Sequence, residues 1–372
     1  MAFEFALGEE LELLVKTARD FAGRRLAPAI REAERRRGVA AAVRDDFEAI
    51  GLDRLELPDA LGGAGLGSLS RVLVNEELGA TDPGAALALD PLGTALHALD
   101  EFGGNALLQR LLLPLLERPG ARALLVTGHD GSIGGDDGRL EAAIPWVPAD
   151  AADLLVVLEG GRLRVLREGF ELRPLPGSGL RAAGGAELHA DDAEVVFCAH
   201  DGAAAARAMA RVRLYQASLL LGVLRQSTEY ATAYAQQRVA FGRPIGHHQA
   251  LAFALVDMHA AVAMGRLLVR EAALRIEHGG DAVAPAASAL VEVIEASRSI
   301  GPMGVQVLGG HGFMQDHPVE KYNRECRALS LLHGGIDAAR DDAASDLDTL
   351  ATPIELSPLA AAARVTAQQD AP

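Results

Sequence analysis

Apolar positions recur at helical spacing through the first third of the chain. Leu11, Leu14, Ala18, Phe21 and Leu26 form one stripe, and Arg24, Arg25, Arg31, Glu32 and Glu34 read as its solvated side. Phe47, Ile50 and Leu52 follow, then a glycine-rich turn from Pro58 to Gly67. A further helical stretch runs through Val72, Leu73, Glu76 and Leu78, and another spans Leu107 to Leu116. Residues 1–120 are therefore predicted as an N-terminal helical domain. The texture changes at Ala123. Short apolar or alternating runs at 123–127, 154–158, 163–166 and 194–198 are separated by Gly, Asp and Pro clusters, the pattern of strands joined by turns. Residues 121–202 read as a small, reduced β domain. Helical spacing then returns in Leu214, Ala217, Leu221 and Leu224, in Leu251, Leu255, Met258 and Val262, and in Leu290, Val293, Ala296 and Ile300. With a shorter segment after Pro318 these predict a C-terminal four-helix bundle over 203–350. Met258 and Met264 read as its core filler, and 351–372 as a tail with little packing of its own. The fold class is α+β, mostly α.

Composition narrows the partners more than the fold. The 372 residues are 49% hydrophobic and 23% charged, with a formal net charge of -16. A polyanion would be repelled, so nucleic acid is not an expected partner. The N-terminus lacks a basic-then-apolar secretory pattern, and no stretch reads as an uncharged membrane span. Cys198 and Cys326 are the only cysteines and read as reduced thiols of a cytoplasmic protein. Neither lies in a CxxC or a His-containing ligand cluster, so no metal is expected.

Three glycine-bearing segments are candidates for ligand contact. Gly62-Gly-Ala-Gly-Leu-Gly67 mimics a dinucleotide loop, but no buried strand precedes it and Pro58 intervenes, so it reads as a plain tight loop. Arg238-Val-Ala-Phe-Gly-Arg-Pro-Ile-Gly-His-His-Gln249 joins two helices. Arg238 could hold a pyrophosphate with its fork of donors and Phe241 could lie against a ring system, or the segment could be an ordinary helix corner. Gln306-Val-Leu-Gly-Gly-His-Gly-Phe313 could let Gly309 and Gly310 approach a ligand, or could simply end a helix.

The order and spacing of these segments resemble the acyl-CoA dehydrogenase family over nearly the whole chain. The stretch Ala18-Arg-Asp-Phe21 to Pro28, with Gly51-Leu, Pro58 and the 62–67 loop, is similar to that family's helical domain. Arg238-x-x-Phe-Gly-x-Pro-Ile-x-x-x-Gln249 resembles its FAD-pyrophosphate corner. Gln306-x-x-Gly-Gly-x-Gly-Phe313, with His317-Pro-Val-Glu-Lys321 and Arg324, resembles its second FAD segment. The resemblance implies a helical domain, a β-barrel-like middle domain and a bundle that forms dimers and tetramers. It also implies FAD as cofactor, an acyl-CoA substrate, and Arg238, Phe241, Gln249, Gln306, Gly309, Gly310 and Trp146 as cofactor contacts.

The resemblance fails where the family's reaction needs a base. A carboxylate there takes the α-proton of the thioester while a hydride leaves for the flavin. Its position falls on His333, and Gly335 stands where Thr is common. The alternative base position, just before the Arg that Arg213 resembles, is Val212. His333 could act as a base or could be polar filler in a silent site, and Asp337 is a weaker candidate. Trp146 matches the tryptophan beside the flavin, but Pro148 replaces the hydroxyl donor two residues on. In this family the Arg238-type and Gln306-type segments serve a neighbouring subunit's FAD. The chain thus keeps what it would lend and has lost what it would use. That suggests the base-lacking subunit of a hetero-oligomer with a paralogous acyl-CoA dehydrogenase, similar to the two-gene enzymes of bacterial steroid side-chain degradation. The competing expectations are a self-sufficient FAD enzyme (a dehydrogenase with another base, or a monooxygenase) and a non-catalytic scaffold that binds acyl-CoA or protein.

Overall fold

A computed structural model describes residues 7–118 and 120–344; the expected 351–372 tail lies outside these. The N-terminal region carries helices α1 (Glu9–Phe21), α2 (Ile30–Arg36), α3 (Ala41–Ala49), α4 (Ser68–Thr81), α5 (Pro83–Leu89), α6 (Ala95–Leu111) and α7 (Leu113–Leu116). Eight strands follow: β1 (Ala123–Thr127), β2 (Ser132–Gly135), β3 (Arg139–Val147), β4 (Leu154–Glu159), β5 (Arg162–Leu166), β6 (Phe170–Pro174), β7 (Ala186–Glu194) and β8 (Phe197–His200). Then come α8 (Gly202–Gln237), a small ribbon of β9 (Val239–Ala240) and β10 (Arg243–Pro244), α9 (Gln249–Glu277), α10 (Val283–Leu308), α11 (Val319–Leu329) and α12 (Gly335–Ala343).

The bundle is organised by α8, whose 36 residues run unbroken from an Asp201 N-cap. The Asp201 side chain accepts from the N–H groups of Ala203 and Ala204, satisfying donors that the first turn leaves free. Near its middle α8 is buried all round, from Val212 to Leu224, because α4, α10 and α11 cover it. Glycines set how close α4 comes. A Cβ on Gly222 would lie 2.3 Å from the Glu76 carbonyl, and one on Gly79 would lie 2.4 Å from that of Leu219. The two backbones therefore cross with no side chain between them.

The middle domain is not barrel-like. It is two four-stranded sheets, ordered β1-β4-β5-β8 and β2-β3-β7-β6, with their own core of Val126, Leu140, Ile144, Leu155, Val157 and Leu188 between them. β1 and β4 pair in parallel and the other partners run antiparallel. The run 194–198 is not one strand either. It holds the end of β7 and the start of β8, which belong to different sheets, so the chain changes sheet there.

Three other expectations change. Glu34 is buried rather than solvated, because Arg324 and Arg31 both reach its carboxylate at 2.8 Å. Met264 is 56% exposed, and only Met258 is core. Helix α9 is long and apolar enough to cross a membrane, contrary to the reading of the sequence. It packs on α8 and α10 with Leu255, Met258 and Val262 and turns Phe253, Val256, Met264 and Leu267 outward. The 62–67 loop is a plain loop as expected, preceded by a short 3-10 turn rather than a strand.

Candidate functional site

The candidate residues fall on two separate faces. The first is the far end of α8. Arg238 leaves the helix in an extended conformation, and its N–H still bonds the Tyr234 carbonyl. The chain then turns back through Phe241 (φ 54°) and Gly242 (φ 79°), the pair of left-handed residues that a tight two-residue hairpin needs. That turn presents Phe241 at 95% exposure. Gln249 opens α9 beside it and is also exposed.

Gln306 lies on the last turn of α10, and Gly309 (φ 59°) and Gly310 follow with open space where a Cβ would stand. Both readings of this segment hold together: it ends the helix, and it offers bare backbone. The segment is fastened to α8. Tyr234 Oη lies 2.9 Å from His311 Nδ1, Tyr230 Oη lies 2.8 Å from His317 Nδ1, and the two imidazoles stack at 5.2 Å. The Arg238, Phe241, Gln249, Gln306, Gly309 and Gly310 positions are thus brought to one exposed end of the bundle. Among the described residues Arg238 has no acidic partner, as is also true of Arg243 on the same turn. A free, exposed guanidinium beside bare backbone suits a phosphate group.

The second face is a cleft between the β sheets and the bundle. His333 stands on a short turn after α11 with φ 53°, followed by Gly334 (φ 81°) and Gly335 (φ 55°). Three consecutive residues at positive φ turn the chain sharply back onto the β domain. Asp130 receives it. Its carboxylate accepts from the His333 N–H at 2.9 Å and lies 3.2 Å from His333 Nδ1, and it also accepts from the Thr127 N–H and hydroxyl. Burial pushes the Asp130 carboxyl up, but the imidazole and the Thr127 donors outweigh it and hold it below the ordinary carboxylate range.

Beside this pair is a cavity of about 340 Å³ lined by Trp146, His129, Pro145, Gly177 and Leu332. The Trp146 indole N–H is buried there without a partner. Beyond Leu332 and His333 the space narrows to about 60 Å³, bounded by Pro148, Val212, Tyr215, Gln216, Asp90 and Arg122. That volume admits a few waters and not an acyl chain. Polar side chains occupy the room. Tyr215 donates to Asp90 at 2.9 Å, and Arg71 reaches Glu56 at 2.8 Å and Asp90 at 3.4 Å. Burial raises the Tyr215 phenol well above its usual range, and Asp90 adds to it, so it stays a neutral donor.

Among the described residues no free carboxylate stands at either base position. Val212 is fully buried hydrocarbon, Asp337 faces solvent, and Asp90 is committed to Tyr215 and Arg71. Arg213 is held by the Ala338 carbonyl and by Asp342. Two residues of this face were missed in the sequence. Asp130 was visible only as the end of a Thr-Gly-His-Asp turn, with nothing to link it to a histidine 203 positions on. Tyr215 lies off the stripe of Leu214, Ala217, Leu221 and Leu224 and carried no signal of its own.

The expectation that neither cysteine joins a histidine cluster is overturned for Cys198. Its Sγ lies 3.8 Å from His200 Nε2, which in turn lies 2.9 Å from Asp137 Oδ1. The two residues share one face of β8, and the turn between β2 and β3 brings the aspartate to them.

Comparison with known proteins gives consistent matches. Residues 8–118 match the acyl-CoA dehydrogenase N-terminal domain and residues 200–347 match the C-terminal domain of the same family. The sheet-bearing segment lies between the two matches. The chain is 27% identical to the mitochondrial short-chain specific acyl-CoA dehydrogenase of Homo sapiens, over 90% of this chain and 89% of that one. It is 28% identical to the cyclohex-1-ene-1-carbonyl-CoA dehydrogenase of Geobacter metallireducens, over 88% and 95%. Among solved structures, butyryl-CoA dehydrogenase from Megasphaera elsdenii shares the fold with a TM-score of 0.82 at 23% identity, covering 93% of this chain and all of that one. The FAD complex of PigA shares it with a TM-score of 0.81 at 20% identity, covering 93% and 99%.

Proposed function

The chain belongs to the acyl-CoA dehydrogenase family of FAD oxidoreductases, and from that premise we propose that it is the base-lacking subunit of a hetero-oligomer. In this reading it completes the FAD site of a paralogous subunit that carries the carboxylate and dehydrogenates an acyl-CoA. The resemblance to two-gene enzymes extends the proposal to a bulky acyl group such as a steroid side chain, handled in the cytoplasm.

The lost base carries the proposal, with Val212 and His333 at the two positions where a carboxylate would stand, and one separation sets its geometry. Val212, Tyr215 and Gln216 line the cleft, while Arg238 caps the far end of the same unbroken helix. At 1.5 Å per residue, the 22 positions from Gln216 to Arg238 span roughly 33 Å. That distance supports a role for Arg238 at a site other than the cleft of its own chain. Two further observations support the reading. The pocket that His333 itself lines, about 60 Å³, is too small for an acyl chain, and Val212 leaves the other base position apolar. The outward residues of α9, with Phe313 and Met314, form an exposed apolar surface suited to burial against another subunit of a tetramer.

Bound FAD supplies a hydride acceptor. Toward it this chain contributes the Arg238 guanidinium, the exposed Phe241 ring and the open backbone at Gly309 and Gly310, all groups that hold and orient. Its own cleft fits the cofactor less well. The cavity at Trp146 has room for a ring system, and Pro148 offers neither a side-chain donor nor an N–H.

The test is flavin content. Purified alone, the chain should carry little FAD. Co-expressed with an acyl-CoA dehydrogenase paralogue bearing a carboxylate at the His333 position, it should yield a flavin-loaded complex active on acyl-CoA. One FAD per chain in the isolated protein, bleached by acyl-CoA, would overturn the proposal. That outcome would favour a second reading, for which the His333–Asp130 pair speaks. An imidazole oriented by a buried carboxylate is a competent general base, and H333A would then abolish the bleaching.

A further inference from the structure

The β domain carries a cluster that neither cofactor nor substrate chemistry uses. Asp137 Oδ1, Cys198 Sγ and His200 Nε2 lie within 4.8 Å of one another. The histidine uses the same ring nitrogen toward both neighbours, 3.8 Å from the sulfur and 2.9 Å from the carboxylate. That detail separates two chemistries. A nucleophile-base-orienter relay needs the two partners on opposite nitrogens of the ring. Here sulfur, nitrogen and oxygen all converge on one point, as ligands of a single ion do. Tetrahedral zinc with bonds of about 2.3 Å to sulfur and about 2.0 Å to nitrogen and oxygen places its ligand atoms roughly 3.3–3.6 Å apart. The sulfur-to-nitrogen and nitrogen-to-oxygen separations of 3.8 and 2.9 Å bracket that spacing, and the sulfur and oxygen lie within 4.8 Å of each other.

We propose that Asp137, Cys198 and His200 form a zinc site with a fourth position open to water. The ion would join the turn between β2 and β3, in one sheet, to strand β8 in the other, and so clasp the two sheets at their edge. Two arginines stand nearby and are already engaged. Glu159 accepts from Arg162 at 3.0 Å and from Arg164 at 2.9 Å, and Arg164 also donates to the Gly134 carbonyl. Arg162 approaches Asp137 only to 3.6 Å. Their charge is thus partly answered before a cation arrives.

The experiment uses the full chain, stripped with a chelator and titrated first with Co²⁺ and then with Zn²⁺. One equivalent of cobalt should produce a thiolate-to-metal charge-transfer band in the near ultraviolet, and one equivalent of zinc should erase it. C198S should remove the band, and H200Q should weaken binding on the order of 100-fold or more, beyond what loss of an outer-shell partner costs. C326S, at the buried second cysteine, should leave the band intact. Zinc should also raise the Tm of the parent chain and leave that of C198S unchanged, a readout that depends on no flavin and no partner subunit. The proposal is overturned if no band forms at one equivalent, if the band survives in C198S, or if zinc shifts both melting points alike. Cys198, His200 and Asp137 lie at the surface, so circular dichroism suffices to establish that the variants remain folded.

Discussion

At the scale of single residues, the protein is defined by an arginine without a partner and a histidine with one. Arg238 is exposed and unpaired among the described residues, so removing it costs the fold little. R238A should leave Tm nearly unchanged and weaken FAD retention by the hetero-oligomer roughly 10- to 100-fold, the loss of about 1.5–3 kcal/mol from a charge-assisted hydrogen bond. Flavin absorbance after gel filtration reads this out. Asp130 behaves in the opposite way. It accepts hydrogen bonds from both Thr127 and His333, so D130N should destabilise the chain by about 2 kcal/mol. The sign with pH follows from its depressed pKa. The stabilisation is fully present above the unfolded value of about 4 and is lost as pH falls through the lower folded value. Denaturation of parent and D130N should therefore stay apart at neutrality, begin to converge below about pH 4 and meet only below the lower folded value.

At the scale of elements, α8 is both spine and ruler. It is covered by α4 at a crossing with no room for a methyl group, since a Cβ at Gly222 would meet backbone atoms of Glu76 and Ala80 at 2.3 and 2.6 Å. G222A should cost about 1–3 kcal/mol through forced separation of the two helices, measurable by urea denaturation. A surface control such as A233S on the same helix should be near neutral. Gly67 plays a similar part at the start of α4. A Cβ there would lie 2.2 Å from the Glu277 carboxylate, which accepts the Leu69 N–H and so caps α4 from the end of α9. The glycine run that mimics a dinucleotide loop is thus a packing device. Its meaning could not be read from spacing, because the group it accommodates lies some 200 residues away in the chain.

At the scale of the whole molecule, the surface that remains unexplained within one chain is apolar and contiguous with the candidate cofactor edge. Phe253, Val256, Met264 and Leu267 on α9, and Phe313 and Met314 after α10, are all more than half exposed. Replacing two of the outward α9 positions, as in V256D/L267D, should leave the monomer folded and shift light-scattering mass toward smaller species. If mass is unchanged, this face is not the contact between subunits. The asymmetry of the chain makes sense at the same scale. The segments that resemble the family's cofactor contacts lie exposed at one end of the bundle, while the narrow cleft at the other face is lined by Tyr215, Gln216 and Arg122.

The linear sequence determined the order of helical, β and helical regions, because hydrophobic period and turn residues are local properties. It also singled out the two segments that resemble the family's cofactor contacts, since these are identities at positions rather than contacts. Tertiary structure alone decided the rest. It showed that the sheets do not close, that Glu34 is buried in an ion-pair network, that Asp130 holds His333, and that Cys198 meets His200 and Asp137. It also showed that Arg238 lies at the end of α8 far from the cleft. Each of these depends on which distant segments pack together, and a buried carboxylate, a filled cavity or a converging set of ligand atoms has no period along the chain by which it could be foreseen.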